Sequence, residues 1–204
     1  MADSPNKPAA DAKSLQEIVA GIARCRGCDL WKRATQAVGG EGGPKSRVML
    51  VGEQPGDQED LAGRPFVGPA GRVLDEALEK VGIDRREVYV TNAVKHFSWE
   101  PRGKRRMHKT PSQQEIAACL DWLAAEIRLI RPDLIVALGA TAVRALLGPD
   151  VRVLVNRGKF LPSNWGTKVL VTVHPSSILR APPEEREGAF DAFVRDLGRI
   201  QRVV

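Results

Sequence analysis

Three histidines, a run of carboxylates and three cysteines carry most of the reactive chemistry in this chain. The octapeptide RGKRRMHK, residues 102–109, packs five basic side chains around His108. Lys104, Arg105, Arg106 and Lys109 suit a phosphate backbone, but phosphate contact alone has no use for an imidazole. A neutral imidazole becomes a nucleophile near pH 7 when a carboxylate orients it and takes its other proton. The stretch GEQPGDQED, residues 52–60, supplies Glu53 as the first candidate for that partner and Asp57 as the second. A third segment, VHPSS at 173–177, sets His174 in a polar turn, with Ser176 as a candidate DNA contact. Taken singly, each has an ordinary reading: a solvated histidine, surface carboxylates, a turn. Their joint occurrence is what needs explaining.

Cys25 and Cys28 form a C-x-x-C pair, and Cys119 lies far along the chain. Two-residue spacing lets both thiolates reach one metal, and it equally suits a redox dithiol. Thioredoxin-like pairs sit between a strand and a helix, whereas this one follows a predicted helix. A four-ligand site would need Cys119 and one further donor. No fourth cysteine exists, so His96 is the candidate, on iron or on zinc. The alternative is that His96 caps a strand end or lies in solvent.

These groups must be positioned by the surrounding elements. Residues 47–53, 87–94, 133–139 and 168–177 read as strands, the first three rich in β-branched and aliphatic residues. Between and around them, 15–23, 70–82, 111–130, 140–148 and 184–201 have helical spacing, and Ser112 with Glu115 forms a capping box. The alternation predicts an α/β fold, a three-layer α/β/α sandwich around a mostly parallel four-stranded sheet. Residues 1–13 read as a flexible tail, 14–204 as a single domain, and about 97–111 as a basic loop insertion. In such sheets working residues collect beyond the carboxyl ends of the strands, and here those ends are GEQPGDQED, TNAVKH, LGAT and VHPSS.

The net charge of +6 favours a polyanionic partner, while an aromatic content of 5% argues against extended base stacking along a strand. No apolar run approaches the ~20 residues of a membrane span, and no signal peptide precedes the first helix. An odd set of three cysteines fits a reducing, intracellular compartment. The expectation is a cytoplasmic monomer.

GEQPGDQEDLAGRPFVGPAG (52–71) resembles the first motif of the uracil-DNA glycosylases that carry an iron–sulfur cluster. VTNAVK (90–95) and VHPSS (173–177) resemble that superfamily's uracil-reading strand and its His-Pro-Ser motif, and the C-x-x-C … C framework matches. The likeness runs from about residue 15 to 200. The pairing of GEQPGDQED with KRRMHKTP further resembles UdgX, the subgroup that becomes covalently joined to uracil-containing DNA. There a loop histidine, here His108, joins deoxyribose C1′ after uracil leaves. Met107 stands where the subgroup often has another aliphatic residue, and His96 where other cluster-bearing members have cysteine.

The resemblance implies a division of labour. Phe66 offers a face to the flipped uracil, Asn92 reads its Watson–Crick edge, and Gln54 with nearby backbone binds the pyrimidine carbonyls while Gly52 permits close approach. His174 donates to the departing base. Arg106 helps to fix His108, and the basic cluster holds phosphate. A [4Fe–4S] cluster on Cys25, Cys28, His96 and Cys119 is implied, with zinc as the alternative. The implied partner is uracil-containing DNA, single-stranded, with free uracil as product. A turnover glycosylase and a non-catalytic iron–sulfur DNA binder are the competing functions.

Overall fold

The computed structural model describes residues 7–202. Along the chain run α1 (Lys7–Asp11), α2 (Leu15–Ala23), β1 (Val48–Gly52), α3 (Asp57–Ala62), α4 (Pro69–Lys80), β2 (Val88–Asn92), β3 (Trp99–Arg102) and β4 (Arg105–His108). Then follow α5 (Gln113–Ile130), β5 (Leu134–Leu138), α6 (Ala140–Leu147), α7 (Val153–Asn156), β6 (Phe160–Leu161), β7 (Lys168–Thr172), α8 (Pro175–Arg180) and α9 (Pro183–Leu197).

The main sheet has the order β2-β1-β5-β7-β6, with the first four strands parallel. Because side chains alternate across a strand, each central strand feeds two cores. Val48 and Leu50 face α4 and α9 with Leu74, Leu78, Phe193 and Leu197, whereas Met49 and Val51 face α5 and α6 with Leu123, Ile127 and Val143. That double burial is why β1, β2 and β5 are buried at every position and read as apolar runs. The α/β/α sandwich is thus the fold.

The predicted strand 168–177 ends at Thr172, and α3, α7 and α8 are short helices that the spacing does not predict; three further details differ from the sequence reading. The sheet has a fifth strand: β6, two residues long, pairs antiparallel with β7 at the edge and is too short for any periodicity to show. The expected loop over 97–111 contains a β-hairpin, β3 pairing antiparallel with β4 around Gly103 and Lys104. Finally, the expected tail is helical from Lys7 onward, residues 1–6 lying outside the described part. Ala9 and Ala12 are buried against Trp122 and Ala125 of α5, and Arg128 donates to the carbonyls of Ala9, Ala10 and Ala12. One short turn with a basic partner on a distant helix leaves no pattern of its own in the sequence.

Candidate active site

Four parallel strands deliver their carboxyl ends to one rim. Gly52 ends β1 and pairs in register with Asn92, which ends β2. Beyond β5 come Gly139 and Thr141, and beyond β7 comes His174. Two glycines let these residues crowd together. A Cβ on Gly52 would run into both Asn92 Oδ1 and the Phe66 ring, so glycine lets these two side chains close in on the end of β1, where they line a candidate slot. A Cβ on Gly139, whose φ is +89°, would press on His174 Cβ at 2.8 Å.

Phe66 lines that slot with its backbone in the left-handed region, φ 55°, where a bulky residue is rarely found. Its loop is held by Glu59, whose carboxylate accepts the Gly56 and Gly68 N–H groups at 3.1 and 2.8 Å. The Phe66 and His174 rings lie 5.8 Å apart with a 31° tilt. Across the slot, Asn92 Oδ1 is buried without a hydrogen-bond partner among the described residues. An orphaned buried acceptor costs about 1–3 kcal/mol, so it marks a place for a donor on a ligand. Phe66, Asn92 and Gly52 therefore converge as the sequence led one to expect.

His174 carries its own orientation. The Ser176 N–H donates to His174 Nδ1 at 3.2 Å, so in the neutral ring the proton sits on Nε2 and can be donated outward. Burial, joined by the Arg180 and His108 charges and opposed by Glu53, lowers the pKa of His174 to about 4, so the neutral ring prevails near pH 7. Ser176 Oγ lies 2.8 Å from Nδ1 and accepts from Arg180 at 3.0 Å. The serine expected to touch DNA is thus engaged in setting the histidine.

The hairpin brings His108 to the same rim. With a period of two, Arg106 and His108 share one face of β4 while Arg105 and Met107 share the other. His108 Nε2 reaches Glu53 Oε1 at 3.1 Å, and Thr141 Oγ1 donates to Glu53 Oε2 at 2.6 Å. The His108 contact is at ion-pair distance but poorly aligned, so Oε1 still counts as buried without a hydrogen-bond partner. Burial pushes the Glu53 pKa up, but the His108 contact, the Thr141 hydroxyl and the neighbouring imidazoles outweigh it and leave it below the ordinary value. Glu53, the first-choice partner, is therefore an anion beside His108. The imidazole is half exposed, at 49%, and open to an incoming substrate.

Asp57 is elsewhere. It accepts from Arg106 Nε at 2.6 Å, and Arg106 Nη1 donates to the fully buried Asp60 at 2.6 Å and to Thr35 Oγ1 at 3.1 Å. Arg106 is thus a clamp on the hairpin and not a free phosphate ligand, because two carboxylates on α3, the buried Asp60 and the exposed Asp57, claim its guanidinium. The Gln54 side chain is likewise committed. It donates to the carbonyls of Ser98 and Lys109 at 3.0 and 3.1 Å and accepts the Ser98 N–H at 3.0 Å, pinning the hairpin's two feet together. Only its backbone remains for a pyrimidine. Lys104, Arg105 and Lys109 are exposed, in keeping with contacts to a polyanion. Sequence reasoning missed Asp60, Thr141 and Glu59. The three-residue step from Asp57 to Asp60 on one helix face was the available signal for the clamp.

The cysteines lie along α5: Cys119 is on its second turn and Cys25 packs on Trp122 of its third. Cys28 and Cys119 lie close enough to perturb one another, with the Lys95 N–H beside Cys119. That Cys119 contact, with help from the Leu30 N–H, lowers the Cys28 pKa to about 7, while the Cys28 contact and burial raise that of Cys119. Cys25 Sγ instead accepts from Trp122 Nε1 at 3.2 Å. His96 is 3% exposed and follows Lys95 directly. Three thiols and an imidazole are, by type, a suitable donor set for a cluster or for zinc. Among the described residues, no three metal-binding side chains are gathered at ligand spacing.

The chain matches the family model described as the uracil DNA glycosylase superfamily over residues 40–198. It is similar to a type-4 uracil-DNA glycosylase of Thermotoga maritima, 44% identical over 172 residues, covering 82% of this chain and 85% of that protein. A type-4 uracil-DNA glycosylase of Archaeoglobus fulgidus is 38% identical over 198 residues, covering 93% and 96%. Another, from Pyrobaculum aerophilum, is 38% identical over 181 residues, covering 84% and 86%.

Proposed function

This chain belongs to the uracil-DNA glycosylase superfamily, and on that premise we propose that it excises uracil from DNA and captures the vacated sugar itself through His108. The observation that supports capture is the His108 Nε2–Glu53 Oε1 contact of 3.1 Å at the mouth of the Phe66–Asn92 slot.

A flipped uracil stacks on the open face of the Phe66 ring, while the Asn92 amide pairs with its Watson–Crick edge. Asn92 Oδ1, the orphaned acceptor, suits the uracil N3–H. As the C1′–N1 bond breaks, its electron pair leaves with the base, and the His174 Nε2–H donates to the developing oxyanion. The sugar is left as an oxocarbenium-like cation.

Glu53 holds one ring nitrogen of His108, leaving the lone pair of the other for C1′. A nucleophile held in place has an effective concentration of ~10⁵ M or more, well above that of water. The bond formed is C1′–N, the ring proton passes to Glu53 and then to solvent, and the protein acts once. Lys104, Arg105 and Lys109 guide the phosphates of a single strand. A [4Fe–4S] cluster on Cys25, Cys28, His96 and Cys119 would brace the N-terminal segment against α5 and take no part in bond cleavage.

A turnover glycosylase is the second reading. Glu53 Oε1 lacks an aligned donor and could hold a water beside the sugar. The two readings part on a denaturing gel. With uracil-containing single-stranded DNA, a slower protein–DNA band is expected and should vanish in His108→Ala, which still releases uracil. Repeated turnover by the unmodified protein, without such a band, would refute capture.

A further inference from the structure

Away from the reacting groups lies a fully buried ion pair that the proposed chemistry does not use. Lys95 and Glu126 side chains are 1% and 0% exposed, with Nζ 2.7 Å from Oε2. All three ammonium protons are placed: on Glu126, on Thr91 Oγ1 at 2.8 Å and on the Asn92 carbonyl at 2.8 Å. The carboxylate in turn accepts the Gly40 N–H at 3.0 Å, the Tyr89 hydroxyl at 3.1 Å and the Thr91 hydroxyl at 3.0 Å.

Stability alone is a poor reason for such a pair. Taking two charges out of water costs about as much as their attraction returns, and apolar residues of similar volume often serve as well. What the pair offers is geometry. Asn92 is the last residue of β2, and its carbonyl lies where the strand turns away from the sheet. Lys95 fills that carbonyl, while the Ala93 and Val94 N–H groups bond to the Gly52 and Glu53 carbonyls at 2.9 and 3.0 Å. The backbone of Asn92 is thereby held on both sides, and its side-chain Oδ1 is left open, toward Gly52.

We propose that Lys95, locked by Glu126, is a positioning residue that aims the Asn92 amide and so sets how tightly the slot holds uracil. This rests on reading the slot as a uracil site. Lys95 touches no substrate; it acts through the peptide of the residue that does. A misplacement near 1 Å in such a group is worth about 10²-fold.

The test is a double-mutant cycle on the full chain. Lys95→Met with Glu126→Gln removes both charges, keeps volume, and leaves an amide oxygen for the Gly40 and Tyr89 donors. Free-uracil affinity and single-turnover uracil release from single-stranded DNA are measured for the parent, the pair variant, Asn92→Ala, and all three changes together. The pair variant should bind uracil about 10- to 100-fold more weakly. In the Asn92→Ala background the same changes should cost nothing more, an outcome that general loosening of the fold would not produce. Undiminished uracil affinity, or losses that multiply, would overturn the inference. A parent that never releases uracil would instead remove the site reading, and this inference with it. Should the pair variant fail to fold, Glu126→Gln alone enters the same cycle with the same criteria.

Discussion

Arg106→Ala separates a clamp from a phosphate ligand. Arg106 makes two charge-assisted hydrogen bonds of 2.6 Å, one to Asp57, whose side chain is 50% exposed, and one to Asp60, which is fully buried. The exposed pair is worth at most about 1 kcal/mol. Stranding a buried carboxylate costs about 3–5 kcal/mol. Asp60 keeps the Thr35 N–H at 3.0 Å, which favours the lower end. A loss of about 3 kcal/mol, falling on the closed position of the hairpin, depopulates it about 10²-fold. His108 is two residues from Arg106 on the same strand face, so covalent capture should slow by about that factor. On the proposed mechanism uracil release depends on Phe66, Asn92 and His174, which lie off the hairpin, and should fall less than about tenfold by the same reasoning. Quenched time courses, with adduct scored on denaturing gels and free uracil by chromatography, give both rates from one reaction. The salt dependence of DNA binding should keep its slope, whereas loss of a phosphate contact would lower it by about one. Adduct formation at the parent's rate, or equal losses of capture and release, would refute the clamp.

Further outcomes follow from the same geometry. Lys104→Ala, at the exposed hairpin tip, should reduce that salt slope by about one and weaken binding equally for uracil-containing and uracil-free DNA, as measured by fluorescence anisotropy across a salt series. The His174 pKa is lowered from 6.5 to about 4, so between those values the unfolded chain takes up a proton that the folded one refuses. Its contribution to stability is complete above pH 6.5 and lost as pH falls toward 4, and denaturant titrations across that window should show the decline. In His108→Ala, uracil release should stay level through pH 6.5 and change only toward about 4, where His174 takes its proton. Cys25→Ser, at a buried thiol packed on Trp122, should reduce soluble yield while the folded remainder still forms adduct; normal yield with selective loss of capture would count against a structural role.

Much of this site was legible from residue types and spacing. Apolar runs bounded by Gly, Pro, Asn and Asp placed four strands, and the rule that parallel sheets work at their carboxyl ends picked out Glu53, Asn92 and His174 together. The Ser112–Glu115 capping box located the start of α5, and both of its hydrogen bonds are present. Such signals are local, a few residues interacting with their own backbone or with a known period. The short β6, the single turn α1 and the hairpin gave no comparable pattern, because each is stabilised by partners far away in sequence.

Assignment within the site divides along the same line. Composition and motif order by themselves determined a parallel α/β sheet with its reactive groups on one rim, a basic insertion, and an imidazole near carboxylates. Only the tertiary structure decided which carboxylate meets which base: Glu53 faces His108, while Asp57 and Asp60 hold Arg106. It also turned the Gln54 side chain and Ser176 from ligand contacts into supports, and revealed Lys95 and Glu126 behind Asn92. The physical reason is range. Backbone preference and hydrophobic period act over a few residues, whereas a hydrogen bond or ion pair joins whichever groups the packed chain brings within about 3 Å, however distant their positions in sequence.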